Sequence, residues 1–190
     1  GMDLCTWQPI VAAIAYVELR KVFGGQVVVL DALGHGGFYF PRFLAKGHVH
    51  PRAILEECIF NGANFNNAMF DQTDFLEASL SGSNMSDIRI DQCSFEDCNL
   101  TGAQLRSAMI RNTSFKGANM RGVSFDRALV DGADFTGTDL STCNLTGAVL
   151  KKLVGTPPAL PQDYVIKSYQ DENVDANGDT LRTSVYDIVI

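Results

Sequence analysis

The run NGANFNNAMFDQTDFLEASL, from Asn61 to Leu80, places a large apolar residue at every fifth position. The first three of these residues are Phe65, Phe70 and Phe75. Side chains on one face recur about every 3.6 residues in an α-helix and every second residue in a β-strand, so neither element explains the spacing. A period of five residues requires a backbone that turns once in each repeat.

The same period continues in both directions, and every central position from Phe60 to Leu150 is apolar. The residue two positions before each centre is mostly Ala, Cys, Ser or Thr, and the residue two positions after it is often glycine, as at Gly62 and Gly82. Glycine there suits a turn. Each repeat therefore predicts a short side followed by a corner. The phenylalanines of the predicted core column are Phe60, Phe65, Phe70, Phe75, Phe95, Phe115, Phe125 and Phe135.

The segments GANFN, GADFT and GANMR resemble the motif of the pentapeptide-repeat family, in which a small residue precedes Asp or Asn, then Leu or Phe, then two polar residues. The resemblance covers residues 58–150. It implies a mainly β fold, a right-handed quadrilateral β-helix of about four to five coils with four repeats per coil. Residues one coil apart would then stack at roughly 4.8 Å. A five-residue unit cannot bury a phenylalanine alone, so stacking supplies the core.

The flanks lack the repeat and predict capping elements. TWQPIVAAIAYVELRKVFGG predicts a helix that begins near Thr6 and ends at Gly24, and QVVVL predicts a strand. These first 50 residues are also consistent with a small recognition module. YVIKSYQ and TLRTSVYDIVI predict a hairpin that turns at Asn177 and Gly178. The predicted domains are a helix and strand capping segment at 1–55, a pentapeptide-repeat β-helix at 56–152 and a capping hairpin at 153–190.

One outward row of the predicted coils is unusual, because the Asp or Asn that the motif places before the central residue is replaced, mostly by apolar residues. An outward apolar row is expected to be covered. The sequence leaves two alternatives open: a terminal segment of the same chain folds over the row, or the row is a dimer or partner interface. The members of this predicted interaction stripe are Met69, Arg89, Met109, Leu129 and Val149.

The formal net charge of −7 argues against a broad basic surface for nucleic acid and leaves protein partners open. Three of the four residues of a basic girdle have an acid one coil away, which predicts compensated charge ladders. The girdle comprises Arg106, Arg111, Lys116 and Arg121, of which Arg121 has no such acid. Some pentapeptide-repeat proteins resemble duplex DNA in shape and charge and bind or protect DNA gyrase, so the resemblance implies that activity as an alternative. The predicted acidic surface comprises Asp71, Asp74, Glu77, Asp87, Asp91, Glu96 and Asp97.

No motif in the chain assembles a catalytic or metal site. His35, His48 and His50 lack a nucleophile elbow and further ligands at metal-binding spacing. NVDANGD resembles part of a calcium loop, but Ser184 stands where a bidentate glutamate is needed. Five cysteines without CxxC spacing predict reduced, buried side chains. The sequence therefore predicts no catalytic residue, no metal and no cofactor.

No leader segment and no long apolar run is evident, so a cytoplasmic location without membrane contact is expected. The predicted function is a non-enzymatic protein-interaction or scaffold module. Its expected partners are unidentified proteins, with a homodimer as one option, and no direct binding to nucleic acid is expected. The alternative is a DNA-mimic-like binder that inhibits or protects DNA gyrase or topoisomerase.

Overall fold

The computed structural model of the protein describes residues 47–48, 55–174 and 180–190, and every regular element within these ranges is a strand. The predicted N-terminal helix, the QVVVL strand and the hairpin turn at Asn177 and Gly178 lie outside the described residues. So do His35 and His50.

Within the described ranges, eight strands form one sheet in the order β1-β2-β3-β4-β5-β6-β8-β7. Neighbours from β1 to β6 are parallel, and from β2 onward each step advances 20 residues, so that Met69 pairs with Arg89 and Arg89 with Met109. We call the side of the solenoid that carries these strands the strand face. The strands are β1 (Gly47–His48), β2 (Ala68–Asp71), β3 (Arg89–Asp91), β4 (Met109–Arg111), β5 (Leu129–Asp131), β6 (Val149–Leu153), β7 (Val165–Val174) and β8 (Thr180–Val189).

The other three sides of each coil are held by single parallel bridges at the same spacing. Asn64 bridges to Asn84, and Ser94 bridges to Ser114 in the same way on another side. Four sides per coil, repeated over about four coils, confirm the predicted right-handed quadrilateral β-helix.

The corners explain why the period is five residues. The amide of Ala63 donates to the carbonyl of Phe60 at 3.0 Å and closes a turn between one centre and the next. The residue between them, Gly62, has φ of 67°, a left-handed conformation that glycine adopts without steric cost. Asn67 occupies the equivalent corner with φ of 62°. A non-glycine residue there costs about 1–2 kcal/mol, which the surrounding ladder must offset.

The core is one column of central side chains. All eight phenylalanines of the predicted core column are at most 2% exposed. Phe75, Phe95, Phe115 and Phe135 stack along the solenoid axis with ring centroids 4.6, 5.4 and 5.3 Å apart. The small residues at the other inward position, such as Ala108, are also fully buried. Four sides converge on this narrow interior, which explains why the second inward position is small.

The C-terminal hairpin consists of β7 and β8, and it continues the sheet of the strand face. Leu150 of β6 pairs antiparallel with Ile188 of β8, and Ile188 is 6% exposed. The Tyr164 hydroxyl donates to the carbonyl of Leu145 at 3.1 Å and fastens the approach to the hairpin. The hairpin therefore lies at the edge of the strand face. The described part of the hairpin does not fold over the interaction stripe, so the alternative that a terminal segment covers this row is wrong for residues 153–174 and 180–190. The N-terminal segment, which the same alternative included, lies largely outside the described residues.

Candidate functional site on the strand face

The predicted interaction stripe forms a straight row across the strand face. Parallel register places Met69, Arg89, Met109, Leu129 and Val149 directly beside one another on β2 to β6. The side chains of Met109, Leu129 and Val149 are 44%, 50% and 47% exposed. Arg89 is also exposed and Met69 is half-buried. Within the described residues, three consecutive coils therefore present an uncovered apolar side chain at the same position.

The hairpin lengthens this row by two residues that sequence reasoning missed. The register of β6 with β8 brings Val189 beside Val149, and Val165 of β7 pairs with Val189. Val189 and Val165 are 36% and 56% exposed. The alternation of inward and outward side chains along β7 and β8 could have shown which hairpin residues share a face. It could not show that β8 pairs with β6. We call the full set the apolar row: Met69, Arg89, Met109, Leu129, Val149, Val189 and Val165.

A row of charged residues runs parallel to the apolar row, two positions further along each parallel strand. In sheet order its members are Asp71, Asp91, Arg111, Asp131, Lys151, Asp187 and Lys167.

From Asp91 onward the sign of this charged row alternates from strand to strand. At the step from β6 to β8 the register shifts between Leu150 and Leu153, so that Lys151 and Lys152 both lie opposite Asp187. The Lys151 Nζ lies 3.3 Å from the Asp131 Oδ2. Asp187 accepts hydrogen bonds from the Tyr169 hydroxyl at 3.0 Å and from the Lys152 amide at 2.9 Å. The strand face thus combines an apolar row with an ordered electrostatic pattern.

The predicted compensated ladders around the basic girdle do not form as ion pairs. Arg106, Arg111, Lys116 and Arg121 are all exposed, and none of them has a carboxylate oxygen within 4.0 Å among the described residues. The Glu96 carboxylate instead accepts a hydrogen bond from Ser114 at 2.9 Å. Backbone register brings these charges onto neighbouring coils, but long exposed side chains gain little by closing such pairs.

The predicted acidic surface is spread over several sides of the coil. Asp71 and Asp91 belong to the charged row of the strand face, and Asp87 occupies a corner. Asp74, Glu77, Glu96 and Asp97 gather beside the core column at Phe75 and Phe95. At this corner Glu57, Glu77 and Asp97 follow one another at coil spacing, and the next coil has Gly117 there.

The cysteines require one correction. Cys58 is disulfide-bonded, and its partner lies outside the described residues, so the predicted reduced state is wrong for this residue. Sequence spacing misses such a bond because a disulfide joins positions that are close only in the fold. Cys93, Cys98 and Cys143 are free and buried. Burial raises the pKa of Cys93 to about 11 and the pKa values of Cys98 and Cys143 to about 12.

These raised pKa values predict slow alkylation of the native thiols. At pH 8 we expect Cys93, Cys98 and Cys143 to react with iodoacetamide at least about 100-fold more slowly in the folded protein than in urea, because only the thiolate reacts. Quantitative mass spectrometry of each cysteine peptide measures the ratio. Equal labelling of Cys98 in the two states would contradict the burial seen here.

The same shifts give a direction to the pH dependence of stability. The fold favours the protonated thiols, so their contribution to the free energy of unfolding is complete below the unfolded pKa of 9.0. The contribution is lost as the pH rises toward about 11–12, the folded values. Stability that rises between pH 9 and pH 11 would be the opposite of this expectation.

Three further kinds of site were considered among the described residues: a metal site, a membrane-spanning helix and a ligand pocket. No group of His, Cys, Asp and Glu among them is arranged to hold a metal ion, and no described helix is long and apolar enough to cross a membrane. A pocket of about 420 Å³ lies between β6 and the end of β8, lined by Leu145, Val149, Tyr164 and Ile190 among others. Its ionisable residues are Lys151, Asp187 and Tyr164, all of which belong to the sheet and hairpin contacts already described.

The repeated four-sided coils define the class of this protein, a quadrilateral β-helix. Two family models match it: "Pentapeptide repeat region" over residues 88–154 and "Pentapeptide repeats (8 copies)" over residues 52–87. The chain belongs to the pentapeptide-repeat family. No curated protein matches its sequence.

Several solved structures are similar to part of the chain. A pentapeptide repeat protein from the Arabidopsis thaliana thylakoid lumen is 28% identical over 52% of this chain and 63% of its own, with a TM-score of 0.29. Full-length QnrB1, a plasmid-mediated fluoroquinolone resistance protein, is 12% identical over 52% of this chain and 61% of its own, with a TM-score of 0.34. HetL, a pentapeptide repeat protein involved in heterocyst differentiation regulation from the cyanobacterium Nostoc, is 20% identical over 60% and 63%, with a TM-score of 0.22. The match spans less than two thirds of each of these relatives, and these likenesses carry no argument about function.

Proposed function

We propose that this protein is a non-enzymatic protein-interaction module whose binding surface is the apolar row of the strand face. The observation that carries the proposal is the exposure of Met109, Leu129 and Val149, between 44% and 50%, at a position where other sides of the coil carry polar residues. Covering apolar surface is favourable by about 25 cal/mol per Å². Contiguous exposed apolar surface on a soluble protein commonly marks an interaction site.

The rigidity of the fold supports the same proposal. Each strand of the face is hydrogen-bonded to both neighbours from β2 to β6, and the inward side of each strand is packed into the core column. The apolar row is therefore pre-organised, and a partner that binds it does not have to order a flexible loop. Pentapeptide repeat proteins are generally structural or interaction modules, which agrees with this assignment.

Affinity capture with matched baits tests the proposal. We expect the wild type to retain at least one protein from a lysate of its source cell, including its own chain, that a Leu129→Asp bait loses by about tenfold or more. The matched control is Asn119→Asp, which introduces the same charge at an exposed outward position on another side of the coil. Quantitative mass spectrometry compares the three baits. Identical sets of bound proteins on all three would contradict a role for the apolar row.

DNA mimicry is the alternative function, and the acidic residues give it less support. Duplex DNA carries one negative charge per about 1.7 Å of its axis. A single DNA strand carries one charge per about 3.4 Å, whereas the corner column of Glu57, Glu77 and Asp97 has one acid per coil, roughly one per 4.8 Å. The column ends at Gly117, in residues 101–120, which contain three basic residues and no acid. Our proposal predicts no change in DNA gyrase supercoiling at a tenfold molar excess of this protein. Inhibition or protection that is lost in a Glu77→Lys, Asp97→Lys variant would establish the alternative instead.

The proposal also predicts no hydrolytic activity. Esterase and phosphatase assays on generic substrates are expected to give background rates. Activity that disappears in His35→Ala or His48→Ala would overturn the non-enzymatic assignment.

A further inference from the structure

We propose that the occupant of the apolar row is a second copy of this chain, packed face to face with its solenoid axis antiparallel to the first. This inference rests on the proposed function of the apolar row and names the partner of that surface. The observation that carries it is the order of charged and apolar side chains from β3 to β7 across the strand face. When a second copy of the face is turned end to end, each of these side chains meets a complementary one.

The apolar side chains fit such a pair. Six consecutive strands, in the order β3-β4-β5-β6-β8-β7, carry the row from Arg89 to Val165. A two-fold axis that lies between β5 and β6 and runs along the strands places each strand over its counterpart counted from the other end. Leu129 then faces Val149 of the second copy, and Met109 faces Val189. The aliphatic stem of Arg89 lies over Val165 at each end, with its guanidinium free to reach the rim.

The charged row makes the same arrangement electrostatically favourable. An alternating row with an even number of members pairs every charge with its opposite when it is turned end to end. From β3 to β7 the charged row has six members of alternating sign. Reversal about the same axis therefore produces only attractive contacts, which set orientation and register more than they set affinity. The facing pairs are Asp131 with Lys151, Arg111 with Asp187, and Asp91 with Lys167.

The parallel arrangement of the two solenoids lacks this match. In the parallel arrangement the two-fold axis runs along the apolar row. The charged row of one copy would then face the corner residues of the other copy, which lie on the opposite side of the apolar row. Asp91 would then face Asp87, and Arg111 would face Ser107. The antiparallel arrangement is the one in which all six charges are paired.

The size of the face predicts a weak dimer. Six strands at about 4.8 Å spacing span roughly 24 Å, and each strand contributes only two outward side chains to the contact. Such an interface falls at or below the lower end of the standard size for specific protein pairs, about 1,200 Å² in total. We therefore expect a dissociation constant in the micromolar range.

Sedimentation velocity across about 1–200 µM protein tests self-association. We expect the wild type to shift from monomer to dimer over this range. Leu129→Asp, which enters the interface twice, should weaken the dimer by roughly 100-fold or more, so that the variant stays monomeric. Asn119→Asp should dimerise like the wild type. Circular dichroism should show that both variants are folded, because both substituted side chains point outward.

Charge reversal tests the antiparallel register independently of the apolar contacts. Asp91→Lys alone sets a new lysine against Lys167 of the second copy, and Lys167→Glu alone sets a new glutamate against Asp91. Each variant should therefore dimerise about threefold to tenfold more weakly than the wild type. A mixture of the two variants restores both opposite-charge contacts and should form a heterodimer close to wild-type affinity. Equal weakness of the mixture and the single variants would overturn this register.

The outcomes separate the two proposals. A wild type that remains monomeric at 200 µM would overturn self-association, while the capture experiment would still decide whether the apolar row binds a different protein. A wild-type dimer that Leu129→Asp leaves unchanged would overturn the second copy as the occupant of the row. A dimer that Leu129→Asp dissolves, with rescue in the charge-reversed mixture, supports both the occupant and its orientation.

Discussion

Replacing Phe115 by alanine is expected to lower the free energy of unfolding by about 3–5 kcal/mol. The Phe115 ring is 1% exposed and stacks between Phe95 and Phe135, with centroids 5.4 and 5.3 Å away. The narrow coil cannot collapse onto the space left by the ring, because the backbone ladders on all four sides fix its diameter. Urea-induced unfolding, followed by circular dichroism, measures the change.

The neighbouring residue supplies the control for this substitution. Lys116 follows Phe115 but is exposed and has no ion pair within 4.0 Å among the described residues. Lys116→Ala should therefore change the free energy of unfolding by less than about 0.5 kcal/mol. A Phe115→Ala variant as stable as Lys116→Ala would mean that the phenylalanine stack is not the main source of cohesion between coils.

Removal of one complete coil is expected to leave a folded protein. Deletion of residues 101–120 joins Leu100 to Arg121, and the register then brings Phe95 beside Phe135. Because each coil contacts only its neighbours, the shortened solenoid keeps every type of contact that the full one has. We expect a cooperative thermal transition and an unchanged strand signal in circular dichroism.

Deletion of 19 residues, 101–119, is the matched control and should have a much larger effect. The one extra residue either shifts every later centre out of the core or bulges from the ladder and leaves backbone groups unpaired. We expect a melting temperature at least about 10 °C below that of the 20-residue deletion. Equal melting temperatures for the two deletions would argue against strict 20-residue stacking.

The fold was predictable from the sequence because its period is strict. Apolar centres at every fifth position, small residues before them and glycines at corners such as Gly62 and Gly82 leave few backbones that satisfy all three. The same period identified the outward position at which Met109 and Leu129 replace the usual polar residue. Both are local properties of the chain, so they can be read without knowing which distant segments meet.

Two features of the candidate site required the tertiary structure. The pairing of β8 with β6 adds Val189 and Val165 to the apolar row and completes the alternating charged row. Backbone register places both Arg111 and Lys151 one coil from Asp131, but only the Lys151 side chain lies within ion-pair distance of it in the described residues.

The sequence by itself determined a quadrilateral β-helix and the outward row that breaks its polar pattern, because a five-residue period constrains every repeat in the same way. Only the tertiary structure decided what lies beside that row. The free edge of β6 can pair with a strand in more than one register, and hydrogen bonds between backbones do not depend on which side chains they carry. In the observed register Leu150 pairs with Ile188 and both side chains are buried, so the apolar pattern of the two strands favours it. That register sets the extent and the charge pattern of the strand face.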